Sequence, residues 1–86
     1  MIIWNDQKNA KLKLERNITF EEISELILNG HVIDTIEHPR KKNQNIFIME
    51  IRGHIYAVPF VIGKDDTIFL KTAFPSRKLH KKYGGK

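Results

Sequence analysis

Residues 46–62 read Ile46-Phe47-Ile48-Met49-Glu50-Ile51-Arg52-Gly53-His54-Ile55-Tyr56-Ala57-Val58-Pro59-Phe60-Val61-Ile62, two β-rich runs divided at Gly53. Side chains alternate between the two faces of a strand, so a strand with one wet face shows apolar residues on one parity only. Here apolar residues occupy both parities of Ile46–Ile51 and of Ile55–Ile62. The two strands are therefore expected to be covered on both faces for much of their length. Pro59 brings no N–H to a ladder, so its strand should lie at an edge there or contain a bulge.

Outward from this pair, Val32–Glu37 alternates loosely, and Thr67–Phe74 follows the turn Gly63-Lys64-Asp65-Asp66. Short connections between four such runs predict an antiparallel meander. Towards the start of the chain the period becomes helical. Asn5 or Asp6 can cap a helix reaching about Arg16, in which Ala10, Leu12 and Leu14 are good helix formers. The next helix is marked more fully: Thr19 as cap, Glu22 at the third helical position to close a capping box, and Ile18 poised to staple onto Ile23. Phe20, Ile23, Leu26 and Ile27 recur at helical spacing before Gly30 stops the helix, and that stripe is core. Beyond the last strand, Pro75 is a stop and Ser76 caps a short basic helix from Arg77 to about Tyr83, before Gly84-Gly85. The expected fold is α+β: two N-terminal helices packed on a four-stranded antiparallel sheet, followed by a short basic C-terminal helix, all in one domain spanning residues 1–86.

A chain of 86 residues has room for one core and buries only about 60–65% of the surface its unfolded form exposes. The absence of cysteine removes disulfides, thiolate metal sites and a cysteine nucleophile, and suits a reducing compartment. The start, Met1-Ile2-Ile3-Trp4-Asn5-Asp6, has no basic lead into an apolar run, and no segment approaches the length of a membrane span. Together these predict a cytoplasmic protein without membrane partners.

The charge is unevenly spread. Residues 1–66 carry nine Lys/Arg against ten Asp/Glu, whereas residues 67–86 carry six Lys/Arg and no acid. Such a tail attracts polyanions: nucleic acid, an acidic protein or an anionic surface. A second cluster, Arg40-Lys41-Lys42, lies in a loop. The plain alternative for the tail is a solvated segment that aids solubility.

With the elements placed, a resemblance emerges. Trp4-Asn5-Asp6-Gln7-Lys8-Asn9, Glu15-Arg16-Asn17-Ile18-Thr19-Phe20-Glu21-Glu22, Ile36-Glu37-His38-Pro39, Phe69-Leu70-Lys71, Pro75-Ser76-Arg77-Lys78 and Lys81-Lys82-Tyr83 follow one another in an order and spacing that resembles the BrnT-like toxins. That group is similar to the RelE-like ribonuclease fold. The resemblance implies the toxin of a type II toxin-antitoxin system: an endoribonuclease that inhibits translation and growth, neutralised by a small antitoxin from the same operon that masks its site. Operator DNA would be met only through the antitoxin. Two departures stand out. Asn17 occupies a place where many relatives carry glycine, which asparagine tolerates in a left-handed backbone. Phe74-Pro75-Ser76 replaces a Ser-Ala-Arg stretch, so Arg77 matches the group's functional arginine only to within a residue or more.

Cleavage of RNA without a metal needs a base for the 2′-hydroxyl, cations for the phosphate and an acid for the leaving oxygen. Arg77 offers a planar fork to a phosphate, or is a surface charge at a helix start. Lys78, Lys81 and Lys82 would add field and bind RNA, as would Arg40, Lys41 and Lys42. Tyr83 could stack on a base or donate a proton, or else anchor the tail. His38, at a strand end beside the Arg40 cluster, is an acid or base by side-chain type, since imidazole ordinarily titrates near neutrality, and a structural role is its alternative. His80 is an imidazole among cations that can accept a proton. His31 and His54, each beside a glycine, read as turn residues. Glu50 and Arg52 share a parity and suggest an ion pair, or a share in lining a site on the open sheet face. Arg16 could bridge to neighbouring glutamates or touch phosphate. No histidine or carboxylate spacing suggests a metal site, no Gly-rich loop cradles a phosphate, and no cofactor is expected. The same residues would equally serve a binding module that holds RNA, DNA or an acidic partner and breaks no bond. A purely structural interaction protein, its tail docked on an acidic partner, is a third possibility.

Overall fold

The apolar parity of residues 46–62 needs two covers, and a computed structural model of the chain, which describes residues 1–84, supplies both. Gly85 and Lys86, the end of the expected glycine stop and basic tail, lie outside the described residues. In chain order the elements are β1 (Ile2–Trp4), α1 (Asp6–Arg16), α2 (Phe20–Leu28), β2 (Asp34–Glu37), β3 (Asn45–Ile51), β4 (His54–Ile62), a 3-10 turn (Lys64–Asp66), β5 (Ile68–Leu70), β6 (Phe74–Pro75) and α3 (Arg77–Tyr83).

Phe47, Met49 and Ile51 of β3 and Tyr56, Val58 and Phe60 of β4 face the main core with Leu12, Ile18, Phe20 and Ile23 from the α1–α2 side. Phe47 and Phe60 stack at 3.9 Å between ring centroids. The opposite parity, Ile46, Ile48, Ile55 and Ala57, is buried under Ile36, Leu79 and Tyr83, so α3 is the second cover. At roughly 25 cal/mol per Å² of apolar area, α3 gains its place mainly through Leu79 and the Tyr83 ring.

The helix signals perform as read. Asn5 Oδ1 accepts from Lys8 N (3.0 Å), Thr19 Oγ1 from Glu22 N (3.1 Å) and Ser76 Oγ from Leu79 N (3.2 Å). Asn17 ends α1 in the left-handed conformation, φ 58°, which asparagine tolerates better than most residues. The capping box closes on one side only, because the Glu22 carboxylate goes to Arg52 instead of back to Thr19. Asn9 ties the helices together: its Oδ1 accepts from Phe20 N and its Nδ2 donates to Glu21, both at 2.7 Å. That bond holds the Glu21 carboxyl below its usual range.

The expected four-stranded antiparallel sheet is corrected to a six-stranded mixed one, ordered β1-β5-β4-β3-β2 with β6 also on β4. β1 pairs parallel to β5, Ile2 opposite Ile68, an arrangement that joins distant parts of the chain. The single strand expected over Thr67–Phe74 is split. Phe60 faces Leu70 and Ala57 faces Phe74, so two residues of β4 stand against three of the neighbour, Lys71–Ala73. The cause is Pro59, whose carbonyl accepts from Lys71 N (2.9 Å) while its ring nitrogen has no proton to return. β4 is central, and the bulge lies in the strand beside it.

The β3–β4 turn is made by Arg52 (φ 52°) and Gly53 (φ 81°), both left-handed, as a two-residue hairpin requires. For arginine that conformation costs about 1–2 kcal/mol. Its guanidinium offsets part of the cost: Nη1 donates to Asn17 O (2.6 Å) and Nη2 to Glu22 Oε1 (2.9 Å). The expected Glu50–Arg52 pair is thus replaced by Arg52–Glu22, the one ion pair among the described residues.

Candidate functional site

α3 starts where β6 stops. Pro75 lies opposite Tyr56, Ser76 N donates to Ile55 O (3.0 Å), and the Ser76 cap turns the chain into helix over the first residues of β4. Positions 77, 80 and 81 share one side of a helix, whereas 79 and 83 lie on the other. Leu79 and Tyr83 accordingly sit on the sheet, and Arg77, His80 and Lys81 line a cleft of about 500 Å³ together with His54, Ile55, Pro75 and Ser76. No carboxylate of the described residues lines it. Gly84 completes the packing, since a Cβ there would come within 2.9 Å of His80 Nδ1 and 3.0 Å of Ile55 Cγ1. A larger residue at 84 would push the imidazole from its seat.

An arginine fork, an ammonium and two imidazoles around one concavity can bind a phosphodiester and move protons at it. His54 is the member that the sequence did not reveal. Its strand was legible, but its place beside Arg77 depends on the pairing of Tyr56 with Pro75, and no local signal carries that register.

The remaining predicted residues fall elsewhere. Tyr83 Oη donates to Asp34 Oδ2 at 2.8 Å, and Asp34 also accepts from Thr35 N. The bond raises the Tyr83 phenol above its ordinary value and lowers the Asp34 carboxyl. Tyr83 thereby anchors α3 to β2. Lys78 and Lys82 are exposed on α3 and do not line the cleft, Lys82 standing 5.4 Å from the Tyr83 ring.

His38 belongs to the β2–β3 loop. Its Nδ1 accepts from Arg40 N and Lys41 N, both at 3.1 Å, so the imidazole organises the turn that carries Arg40, Lys41 and Lys42. A separate hollow there includes Glu37. The register Glu37–Asn45–Phe60 puts this loop at the far end of β4 from His54, six residues or roughly 20 Å along the strand. The structure does not bring His38 together with Arg77 and His80. Among the described residues, no three His, Asp or Glu side chains gather as a metal centre would need, and no helix is long and apolar enough to cross a membrane.

No family model matches the sequence, and no curated protein matches it. Among solved structures the chain is similar to the crystal structure of BrnT, a ribonuclease toxin of Brucella abortus, with a TM-score of 0.61 and 22% identity, covering 87% of this chain and 94% of that one. At that identity the likeness is one of fold.

Proposed function

We propose that this protein is the toxin of a type II toxin-antitoxin pair and cleaves RNA by attack of the substrate's own 2′-hydroxyl, inhibiting translation and growth from within the cytoplasm. The observation that carries the reading is the cleft of Arg77, Lys81, His54 and His80, lined by no carboxylate among the described residues, on a fold similar to that of a ribonuclease toxin. In this mechanism the Arg77 fork holds the non-bridging oxygens of the scissile phosphate and Lys81 adds to the field as charge accumulates. One imidazole takes the proton of the 2′-hydroxyl. The 2′-oxygen bonds to phosphorus, the bond to the 5′-oxygen breaks, and the other imidazole gives that oxygen a proton. The products are a 2′,3′-cyclic phosphate and a 5′-hydroxyl, and no step draws on a cofactor. Lys78, Lys82 and the Arg40-Lys41-Lys42 loop contribute attraction at longer range, and Tyr83 keeps α3 in place. The antitoxin presents an acidic surface that covers the cleft, because desolvated charge pairs also exclude RNA. Operator DNA is bound only through that partner.

The test is product analysis with purified protein in excess EDTA. Cleavage should persist, leave cyclic phosphate ends and fail on RNA carrying 2′-deoxyribose at the cut. RNA that is bound and never cut would make the protein a binding module, and DNA cut as well as RNA would refute the 2′-hydroxyl as nucleophile. In cells, expression alone should arrest growth, and co-expression of the adjacent antitoxin should restore it.

A further inference from the structure

The cleft is one end of a longer trough. It shares His54 and Pro75 with a neighbouring hollow of about 490 Å³, which includes Arg16, Arg52 and Tyr56. That hollow in turn shares Glu15 and Arg16 with a third, of about 240 Å³, between α1 and the segment Thr72–Phe74. The three therefore adjoin one another, from α3, across β6, to the side of α1.

Cations line the trough at both ends. Lys8, Lys11 and Arg16 line the α1 end, their spacing putting them along one side of that helix, and none of them is paired with a carboxylate among the described residues. Glu15 is the one acid in the lining among the described residues. Arg52 is already committed to Glu22 and Asn17. At the α1 end, in the same hollow as these cations, Phe74 stands 41% exposed, on the short strand beyond the Lys71–Ala73 bulge. Cations that follow a backbone, with an aromatic ring exposed among them, are the pattern that holds single-stranded nucleic acid, because every unpaired base has a face to stack.

We infer that the trough holds the substrate strand beyond the scissile bond: Lys8, Lys11 and Arg16 bind phosphates several nucleotides from the cut, and Phe74 stacks on a base beside them. This rests on the ribonuclease reading of the Arg77 cleft and names the rest of its substrate site. The substrate is then a single strand of several nucleotides, and a duplex, whose bases are already stacked, leaves Phe74 unused.

The experiment compares a trinucleotide with a decanucleotide of RNA, 2′-O-methylated for binding by fluorescence anisotropy and unmodified for cleavage. Lys8→Glu/Lys11→Glu should weaken the decanucleotide at least tenfold and reduce the slope of its log affinity against log salt by about 1.4, two contacts at about 0.7 each. Binding of the trinucleotide should not change. Phe74→Ala should cost the decanucleotide roughly tenfold. Lys13→Glu/Lys64→Glu makes the same charge change at exposed residues that line no part of the trough, and should cost less than about threefold. A Lys8/Lys11 loss no larger than this control, a loss independent of length, or tighter binding of an acidic peptide than of the decanucleotide would overturn the inference. If the wild type cleaves neither length, the proposed function fails first; if it cleaves both and the variants show no length dependence, the trough alone is refuted.

Discussion

The two ends of the β3–β4 hairpin each set a histidine beside cations, and the two pairings differ in where the partners come from. At the open end, beside the β2–β3 loop, His38 and Arg40-Lys41-Lys42 belong to one short segment, and the imidazole is spent on the backbone N–H groups of its own turn. At the other end, His54 meets Arg77, His80 and Lys81 from a distant segment, and all four face a shared cavity. Neighbours in sequence tend to satisfy one another locally, whereas groups that converge through strand register keep their polar atoms for a ligand.

The sharpest way to break this contrast is to exchange the histidines. His54→Gln and His80→Gln should each lower single-turnover RNA cleavage by roughly two to four orders of magnitude, the span of a positioned acid or base, while His38→Gln should leave it within a few-fold. Equal losses at His38 and His54 would erase the distinction. The arginines give the next largest difference. Arg77→Ala should slow cleavage by about two to three orders with RNA affinity much less affected, and Arg40→Ala should change mainly the association rate and its salt dependence. An Arg77→Ala enzyme that binds poorly and cuts at the normal rate would reduce the cleft to an electrostatic handle.

Smaller effects test how the cleft end is held. Arg52→Ala removes an exposed ion pair worth no more than about 1 kcal/mol and a charged bond to Asn17 worth about as much, so urea unfolding should report a loss of about 1–2 kcal/mol. Arg52→Gly should lose about 1 kcal/mol less than Ala, because it relieves the left-handed turn. Equal losses for Ala and Gly would show that the turn stores no strain. The mildest change is Tyr83→Phe. The bond lowers the Asp34 carboxyl, so its contribution is present above the ordinary carboxylate range and fades as pH falls through the depressed value. It also raises the Tyr83 phenol, so the same contribution is present below the ordinary phenol range and fades as pH rises through the elevated value. Wild type should therefore exceed Tyr83→Phe in urea midpoint at neutral pH and converge with it at both extremes. Equal midpoints at neutral pH would mean that Tyr83 acts through packing alone.

The parts of the fold legible in the sequence are those with local causes. Thr19, Ser76 and Asn5 cap helices because each side chain reaches an amide three residues on, and the parity of residues 46–62 announces a sheet covered twice. Pro59 predicted an edge or a bulge in its own strand, but β4 is central and the extra residue falls in the neighbouring segment, where the missing N–H is felt. Ile2-Ile3-Trp4 was silent as a strand, being three residues long with its partner at Ile68–Leu70. The candidate site was half legible: Arg77 and His80 follow from composition and helix spacing, while His54 required the β4–β6 register.

That parallel pairing of β1 with β5 bears on how the chain acquires its shape. Contacts that span most of a chain form late, since loop closure must precede them, whereas the β3–β4 hairpin closes over two residues. During synthesis the first strand waits, unpaired, until Ile68–Leu70 has emerged, and the helix bearing Arg77 comes later still. A polypeptide that stops before β5 lacks a finished sheet, and one that stops before α3 still lacks the cleft that Arg77, His80 and Lys81 line.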